Sequence, residues 1–187
     1  KWDHQQLPSL ADRKILIVGA GGIGNAIFDR FAPFEVEQTR VATTARDDDR
    51  GHIHAIDELP SLLPDAEVVV LITPLTERTE KLVDEDFLAA LPDGALVVNV
   101  ARGGVVDTDA LVAELQTGRI HAALDVVDPE PLPAKHPLWD TPNTLLTPHV
   151  GGDASAFHPR IENLLVEQLH RLQVGKELLN LVDVSQD

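Results

Sequence analysis

Short apolar runs alternate along the chain with stretches of helical spacing. Lys14–Val18, Arg40–Thr44, Glu67–Ile72, Ala95–Val100, His121–Leu124 and Thr144–Leu146 have strand length, and a weaker run lies at Ile53–Ile56. Several are apolar at consecutive positions, as strands covered on both faces are. Helical spacing marks Gly22–Ala32, Ile56–Leu63, Asp84–Leu91, Thr108–Thr117 and a long Ala154–Val174, in which Ile161, Leu164, Leu165, Leu169 and Leu172 share one stripe. Asp107 is placed to cap the fourth helix and Gly118 to stop it. This alternation predicts an α/β fold, a doubly wound parallel sheet. Two segments break the pattern. Asp125–Pro142 carries Pro129, Pro131, Pro133, Pro137 and Pro142 and reads as a stiffened loop, and Asp47-Asp48-Asp49-Arg50 reads as a solvated loop.

The first strand runs directly into Gly19-Ala20-Gly21-Gly22-Ile23-Gly24 and then into a helix. In this G-x-G-x-x-G order Gly19 allows a tight turn, Gly21 admits a pyrophosphate to the backbone, and Gly24 lets helix and strand pack closely. The helix N-terminus then offers unpaired N–H groups and the positive end of its dipole to an anion. A Rossmann-type dinucleotide site is the reading that explains this order, against a glycine-rich turn that binds nothing.

Composition narrows the classes. The 187 residues are 43% hydrophobic and 25% charged, suited to one globular domain with an appendage. The absence of Cys excludes disulfides, thiolate metal sites and cysteine nucleophiles. A formal net charge of −16 repels nucleic acid and anionic membranes, and no apolar run approaches the roughly 20 residues needed to span a bilayer. A cytoplasmic protein with neither nucleic-acid nor membrane partners is expected. Because Met is absent, Lys1 is not a translation start, and further residues are expected ahead of it.

Four polar clusters follow strand ends, where open α/β sheets bind ligands: Thr73-Pro74 after Ile72, Val100-Ala101-Arg102 after Asn99, Asp125 through Glu130-Pro131, and Thr147-Pro148-His149-Val150-Gly151-Gly152. In order and spacing these strongly resemble the D-isomer-specific 2-hydroxyacid dehydrogenase family, from Leu7 to about Val182. The resemblance implies hydride exchange between a nicotinamide and C2 of a small 2-keto or 2-hydroxy acid. It implies His149 as proton donor to the developing alkoxide, Glu130 on the other ring nitrogen, favouring the imidazolium, and Arg102 as the fork that grips the substrate carboxylate. Asp125 resembles the residue beside the nicotinamide carboxamide. Gly19, Gly21, Gly22, Ile23, Gly24, Ala45, Arg46, Thr73, Pro74, Val100, Ala101, Arg102, Asp125, His149, Gly151 and Gly152 are the implied cofactor contacts.

Each of these residues also has a plainer reading: His149 as a loop histidine, Arg102 as a surface arginine, Glu130 as a turn residue, Asp125 as a turn cap or a metal ligand with Asp128 and Glu130. No metal is expected. His52 and His54 share one face of a short strand, yet with no third ligand evident nearby they read as solvent histidines. Trp2 and Trp139 read as packing residues.

Two departures from the family pattern bear on function. The acidic residue that commonly binds the adenosine ribose is replaced by Ala45, followed by Arg46, which favours NADP over NAD, with Asp47–Asp49 opposing that preference. The chain also starts at the approach to the nucleotide domain, with Trp2 to Leu10 resembling the linker helix. Residues 1–152 are therefore expected to be a dinucleotide-binding domain, and 153–187 the returning helix and tail of a substrate domain whose N-terminal part is missing. On its own the chain is expected to be inactive. A homodimer is implied. A non-catalytic dinucleotide sensor or interaction module of the same fold, or an inactive fragment, are the rival readings.

Overall fold

A computed structural model describes residues 9–181. They fall into two compact units that divide between Pro148 and His149. In the first unit the strands are β1 (Lys14–Val18), β2 (Glu37–Ala42), β3 (Arg46–Asp48), β4 (Gly51–Ala55), β5 (Val68–Leu71), β6 (Leu96–Asn99), β7 (His121–Leu124) and β8 (Thr144–Leu146). They form one sheet in the order β3-β4-β2-β1-β5-β6-β7-β8. Every pairing is parallel except β3 with β4.

The strand order reverses at β1, which is flanked by β2 and β5. At such a switch point the connections leave in opposite directions and open a crevice beyond the carboxyl ends of the strands. Alternation along β1 sends its side chains to two cores. Ile15 and Ile17 pack with Val70 and with Ile27, Phe28 and Phe31 of α1 (Gly22–Phe31). Leu16 and Val18 join the larger cluster that includes Val41, Leu71 and Val97 and the inward residues of α3 (Glu85–Ala90) and α4 (Thr108–Gln116). Both faces are thus covered, as the apolar strands require. Asp84 caps α3 through Phe87 N–H, and Asp107 caps α4 through the N–H groups of Asp109 and Ala110.

Four expectations change. The second strand starts at Glu37 rather than Arg40, because Glu37, Gln38 and Thr39 pair in register with Lys14, Ile15 and Leu16. The stretch Ile56–Leu63 is not one helix: a 3-10 turn at Ile56–Glu58 leads into a single turn, α2 (Leu59–Leu62), and a second 3-10 turn at Leu63–Asp65. Pro60 and Pro64 each remove a backbone donor there. Asp47–Arg50 is solvated but not an irregular loop: Arg46–Asp48 forms an antiparallel hairpin with Gly51–Ala55, turned through Asp49 and Arg50 into Gly51 with φ 107°. Trp139 is half exposed and does not pack in the core; its Nε1 donates to Pro133 O at 2.9 Å and so ties the proline-rich loop to itself. The expected linker helix from Trp2 to Leu10 falls almost wholly outside the described residues, as does Trp2.

The second unit is built on α5 (Phe157–Gln173), three residues shorter at its start than the apolar stripe suggests. Gln168 fastens the following segment by accepting from Leu179 N–H and donating to Leu179 O. Among the described residues no helix is long and apolar enough to cross a membrane.

Candidate dinucleotide and hydride-transfer site

The glycine-rich turn is built by close backbone approach. Gly19 has φ 124°, and a Cβ on it would lie 2.6 Å from Ile72 O, so β1 and the segment after β5 touch through main chain alone. Its N–H donates to Val41 O at 2.8 Å. A Cβ on Gly24 would overlap Gly19 O outright, which is why the helix can start directly over the turn. Around Gly21 and Gly22, by contrast, a Cβ would meet nothing within 4 Å. Gly21 is the N-cap of α1 and has no side chain to cap it, and the intrahelical ladder opens with Asn25 N–H on Gly21 O. The first N–H groups of α1 therefore face open space where an anion can accept from them.

Next to this turn, Arg46 Nη2 donates to Ala20 O at 3.3 Å. The guanidinium thus stands over the glycine loop, beyond the end of β2. The three acids that follow are directed elsewhere. Asp47 Oδ1 lies 2.8 Å from His52 Nδ1, Asp48 receives both Nη groups of Arg40 at 2.7 and 2.6 Å, and Asp49 accepts from Arg50 Nη1 at 2.9 Å.

Arg40 was not legible as a site residue. It is 1% exposed, donates also to Asn25 Oδ1 at 3.0 Å and Gly51 O at 3.2 Å, and lies 4.6 Å from the Phe28 ring centroid. A buried guanidinium needs such a set of acceptors. The Arg40 hydrogen bonds hold the Asp48 carboxyl well below its ordinary value, at about 2. The pair locks the hairpin that carries Arg46 onto α1 and β2.

Beyond β5, the segment with Thr73 and Pro74 is fixed by buried Thr79, whose Oγ1 donates to Pro74 O at 2.6 Å and accepts from Thr76 N–H at 2.8 Å. Beyond β6, buried Asn99 shapes the next loop: Oδ1 accepts from Ala101 N–H at 3.0 Å and Nδ2 donates to Arg102 O at 3.1 Å. Its own carbonyl accepts from Asp125 N–H at 3.0 Å. Arg102 is exposed, with Nη1 on Ala101 O at 2.6 Å. Beyond β7, half-buried Asp125 accepts from Thr147 Oγ1 at 2.6 Å, which joins the ends of β7 and β8. Glu130 is exposed in the proline-rich loop.

The first unit therefore brings Gly19–Gly24, Thr73, Pro74, Val100–Arg102 and Asp125 beyond the carboxyl ends of the parallel strands, with Arg46 at the start of the antiparallel β3 beside the glycine loop. His149, Gly151 and Gly152 belong to the second unit. There His149 has φ 54°, a left-handed conformation uncommon outside glycine and concentrated at functional sites. Arg40 and Thr79 lie outside the clusters that sequence reading picked out, and Asn99 and Thr147 lie within or beside them without an assigned role. Asn99 had a signal, since it is a strongly polar residue ending an otherwise apolar strand, whereas Arg40 follows Glu37, Gln38 and Thr39 and does not stand out.

Residues 1–151 match the family described as "D-isomer specific 2-hydroxyacid dehydrogenase, NAD binding domain". Among similar proteins, a glyoxylate/hydroxypyruvate reductase B from Escherichia fergusonii is 40% identical over 153 residues, 79% of this chain and 46% of that protein. A crystal structure of a D-isomer specific 2-hydroxyacid dehydrogenase from Xanthobacter autotrophicus, in complex with NADPH and MES, superposes with a TM-score of 0.87 at 35% identity, covering all of this chain and 77% of that one. An NADPH-dependent glyoxylate/hydroxypyruvate reductase from Sinorhizobium meliloti, in complex with NADP and sulfate, superposes with a TM-score of 0.86 at 25% identity, covering 98% of this chain and 59% of that one. The chain spans about half the length of the curated relatives it matches.

Proposed function

The chain belongs to the D-isomer specific 2-hydroxyacid dehydrogenase family and carries its NAD binding domain, and from that premise we propose that it is the cofactor-binding part of an NADPH-preferring reductase of small 2-keto acids. The observation that carries this reading is the convergence, beyond the carboxyl ends of the parallel strands, of an uncapped helix start, Arg102 and Asp125, with Arg46 beside the glycine loop.

The first N–H groups of α1, across Gly21 and Gly22, would hold the pyrophosphate. Ile23 packs under the nucleotide. Arg46 binds the 2′-phosphate, and Ala45 leaves room where an acid would repel it. The engagement of Asp47, Asp48 and Asp49 with His52, Arg40 and Arg50 supports this preference, because each carboxylate has a partner away from the phosphate. Thr73, Pro74, Val100 and Ala101 line the path toward the nicotinamide. Asp125, oriented by Thr147, would accept from the carboxamide of the bound nicotinamide. Gly151 and Gly152 complete the cofactor contacts.

A bound nicotinamide would supply the hydride that C2 of the keto acid receives. As negative charge grows on the C2 oxygen, Arg102 stabilises it and holds the carboxylate, while His149 donates the proton; Glu130 orients the imidazole. Residues 1–152 serve as the dinucleotide domain and 153–187 as the returning piece of the substrate domain. A homodimer through the dinucleotide domain belongs to this reading, and the apolar residues Val166, Leu169 and Leu172 of α5, each about two-thirds exposed, fit a face covered by the rest of a substrate domain or by another copy. Hydrophobic stripes of this kind mark contact surfaces.

The test is to assay glyoxylate, hydroxypyruvate and pyruvate with NADPH and NADH, first with this chain and then with a complementary N-terminal segment of a relative supplied in trans. Nucleotide binding by the chain alone, with turnover appearing only on complementation, is the expected result. Nucleotide binding without turnover under any complementation favours the sensor reading.

A further inference from the structure

On the flank of the sheet remote from β7 and β8, the hairpin and the turn after it gather a second set of chemical groups. His52 and His54 project from one face of β4, while Ile53 between them is fully buried on the other. The 3-10 turn that follows β4 brings Glu58 to that same face, so the third ligand that sequence reading did not find is present. One ligand atom from each of His52, His54 and Glu58 lies within 4.8 Å of the other two.

We propose that His52, His54 and Glu58 form a binding site for a divalent transition metal of the Zn2+ class. The donor set is two imidazoles and one carboxylate, which suits Zn2+, Co2+, Ni2+ and Cu2+ and is a poor match for Mg2+ or Ca2+, whose ligands are oxygens. His54 Nδ1 and Glu58 Oε2 are 2.8 Å apart. They are hydrogen-bonded to one another, and because a tetrahedral ion with ligands at about 2.0–2.1 Å sets its neighbouring ligands about 3.3 Å apart, the pair has only to part by about half an ångström to take the ion in place of that hydrogen bond.

Two of the three ligands are also held from behind. Asp47, directly across the ladder from His52, places Oδ1 2.8 Å from its Nδ1, which turns Nε2 of His52 toward the metal. Glu58 Oε1 accepts from Ala55 N–H at 2.8 Å, which leaves Oε2 for the ion. This carboxylate–imidazole–metal arrangement is how protein sites fix ring orientation and raise ligand basicity. The side chains of His52, His54 and Glu58 are 51%, 29% and 42% exposed, so an ion can enter and water completes its coordination. With a net charge of −16 the chain attracts cations.

Bound metal would clip β4 to the turn after it and, through Asp47, to β3, the strand that begins with Arg46. It would act on the hairpin and take no part in hydride transfer.

The experiment is isothermal titration of the chain with ZnCl2 in a non-coordinating buffer, with thermal melts alongside. The parent should bind one Zn2+ at this site and melt higher in its presence, with no such rise in equimolar MgCl2. His54→Ala and Glu58→Gln should weaken that binding at least ten-fold, and Asp47→Asn by 10- to 100-fold, the usual effect of removing a group that orients a ligand. The double variant His52→Ala/His54→Ala should keep its metal-free melting temperature and lose the zinc-dependent rise. The proposal is overturned by an absence of saturable Zn2+ binding in the parent, or by Zn2+ binding and a melting rise that persist undiminished in the double variant. Circular dichroism of each variant confirms the fold, and the outcome is independent of whether the chain binds nucleotide.

Discussion

Replacing Gly24 with Ala separates the packing role of the glycine-rich turn from its ligand role. The new methyl has nowhere to go. It would overlap Gly19 O on one side, with Ile72 Cγ2 3.3 Å away on the other. Gly19 has little room to yield, because a Cβ on it would already meet Ile72 O at 2.6 Å and its N–H is bonded to Val41 O. Helix α1 must therefore withdraw from β1, loosening the contacts of Ile27, Phe28 and Phe31 with Ile15 and Ile17. Overpacking against backbone belongs at the upper end of the usual ~1–3 kcal/mol. For a chain of this size each kcal/mol lowers the melting temperature by about 2–4 °C, so a fall of about 6–12 °C is expected. Dinucleotide affinity should fall with it, since the N–H groups of α1 move with the helix. Gly22→Ala is the control. It lies two residues earlier, meets nothing within 4 Å and has no positive φ, so stability should change by no more than about 0.5 kcal/mol while nucleotide binding weakens. Thermal melts with parallel NADPH fluorescence titrations measure both quantities. A Gly24→Ala protein that melts with the parent would refute the close-packing argument.

Further outcomes follow from the same geometry. Arg46→Ala should reduce NADPH affinity about ten-fold, or about 1.4 kcal/mol, and leave NADH binding nearly unchanged, and Ala45→Asp should move the preference toward NADH; direct titration decides both. Because the Asp48 carboxyl is lowered to about 2 by Arg40, the stability it contributes is fully present above the unfolded value near 4 and is lost as pH falls from about 4 toward 2. Across that window Asp48→Asn should lose stability less steeply than the parent in denaturant titrations, and equal slopes would show the pair contributes nothing. In a complemented, active protein His149→Gln should lower hydride transfer by about 10²–10⁴-fold with nucleotide affinity retained, and Glu130→Gln should lower kcat by less; single-turnover kinetics separate the two.

The strands were legible because both of their faces are buried, so Leu16, Ile17, Val69 and Val97 leave a continuous apolar signal. The glycine turn was legible because its spacing encodes three separate steric demands, two of which Gly19 and Gly24 display in full. The hairpin was not. Arg46–Asp48 holds no apolar residue, and its order comes from Arg40, a partner six residues upstream whose burial depends on Asp48, Asn25 and the Phe28 ring together. Local composition cannot report that kind of tertiary dependence. Glu58 is a different case: it turns back from the first turn after β4 to accept from Ala55 N–H and meet His54, a local contact that reading the strand by itself leaves out. Asn99 and Thr79 act through loop carbonyls and amides, and those acceptors have no signature in side-chain pattern.

Titration of the chain with NADPH and with NADH, followed by nucleotide fluorescence, tests the central claim most directly. Saturable binding of both, tighter for NADPH by about ten-fold and abolished for both by a bulky replacement such as Gly21→Trp, is the predicted result. Failure of either nucleotide to bind a folded chain would contradict it.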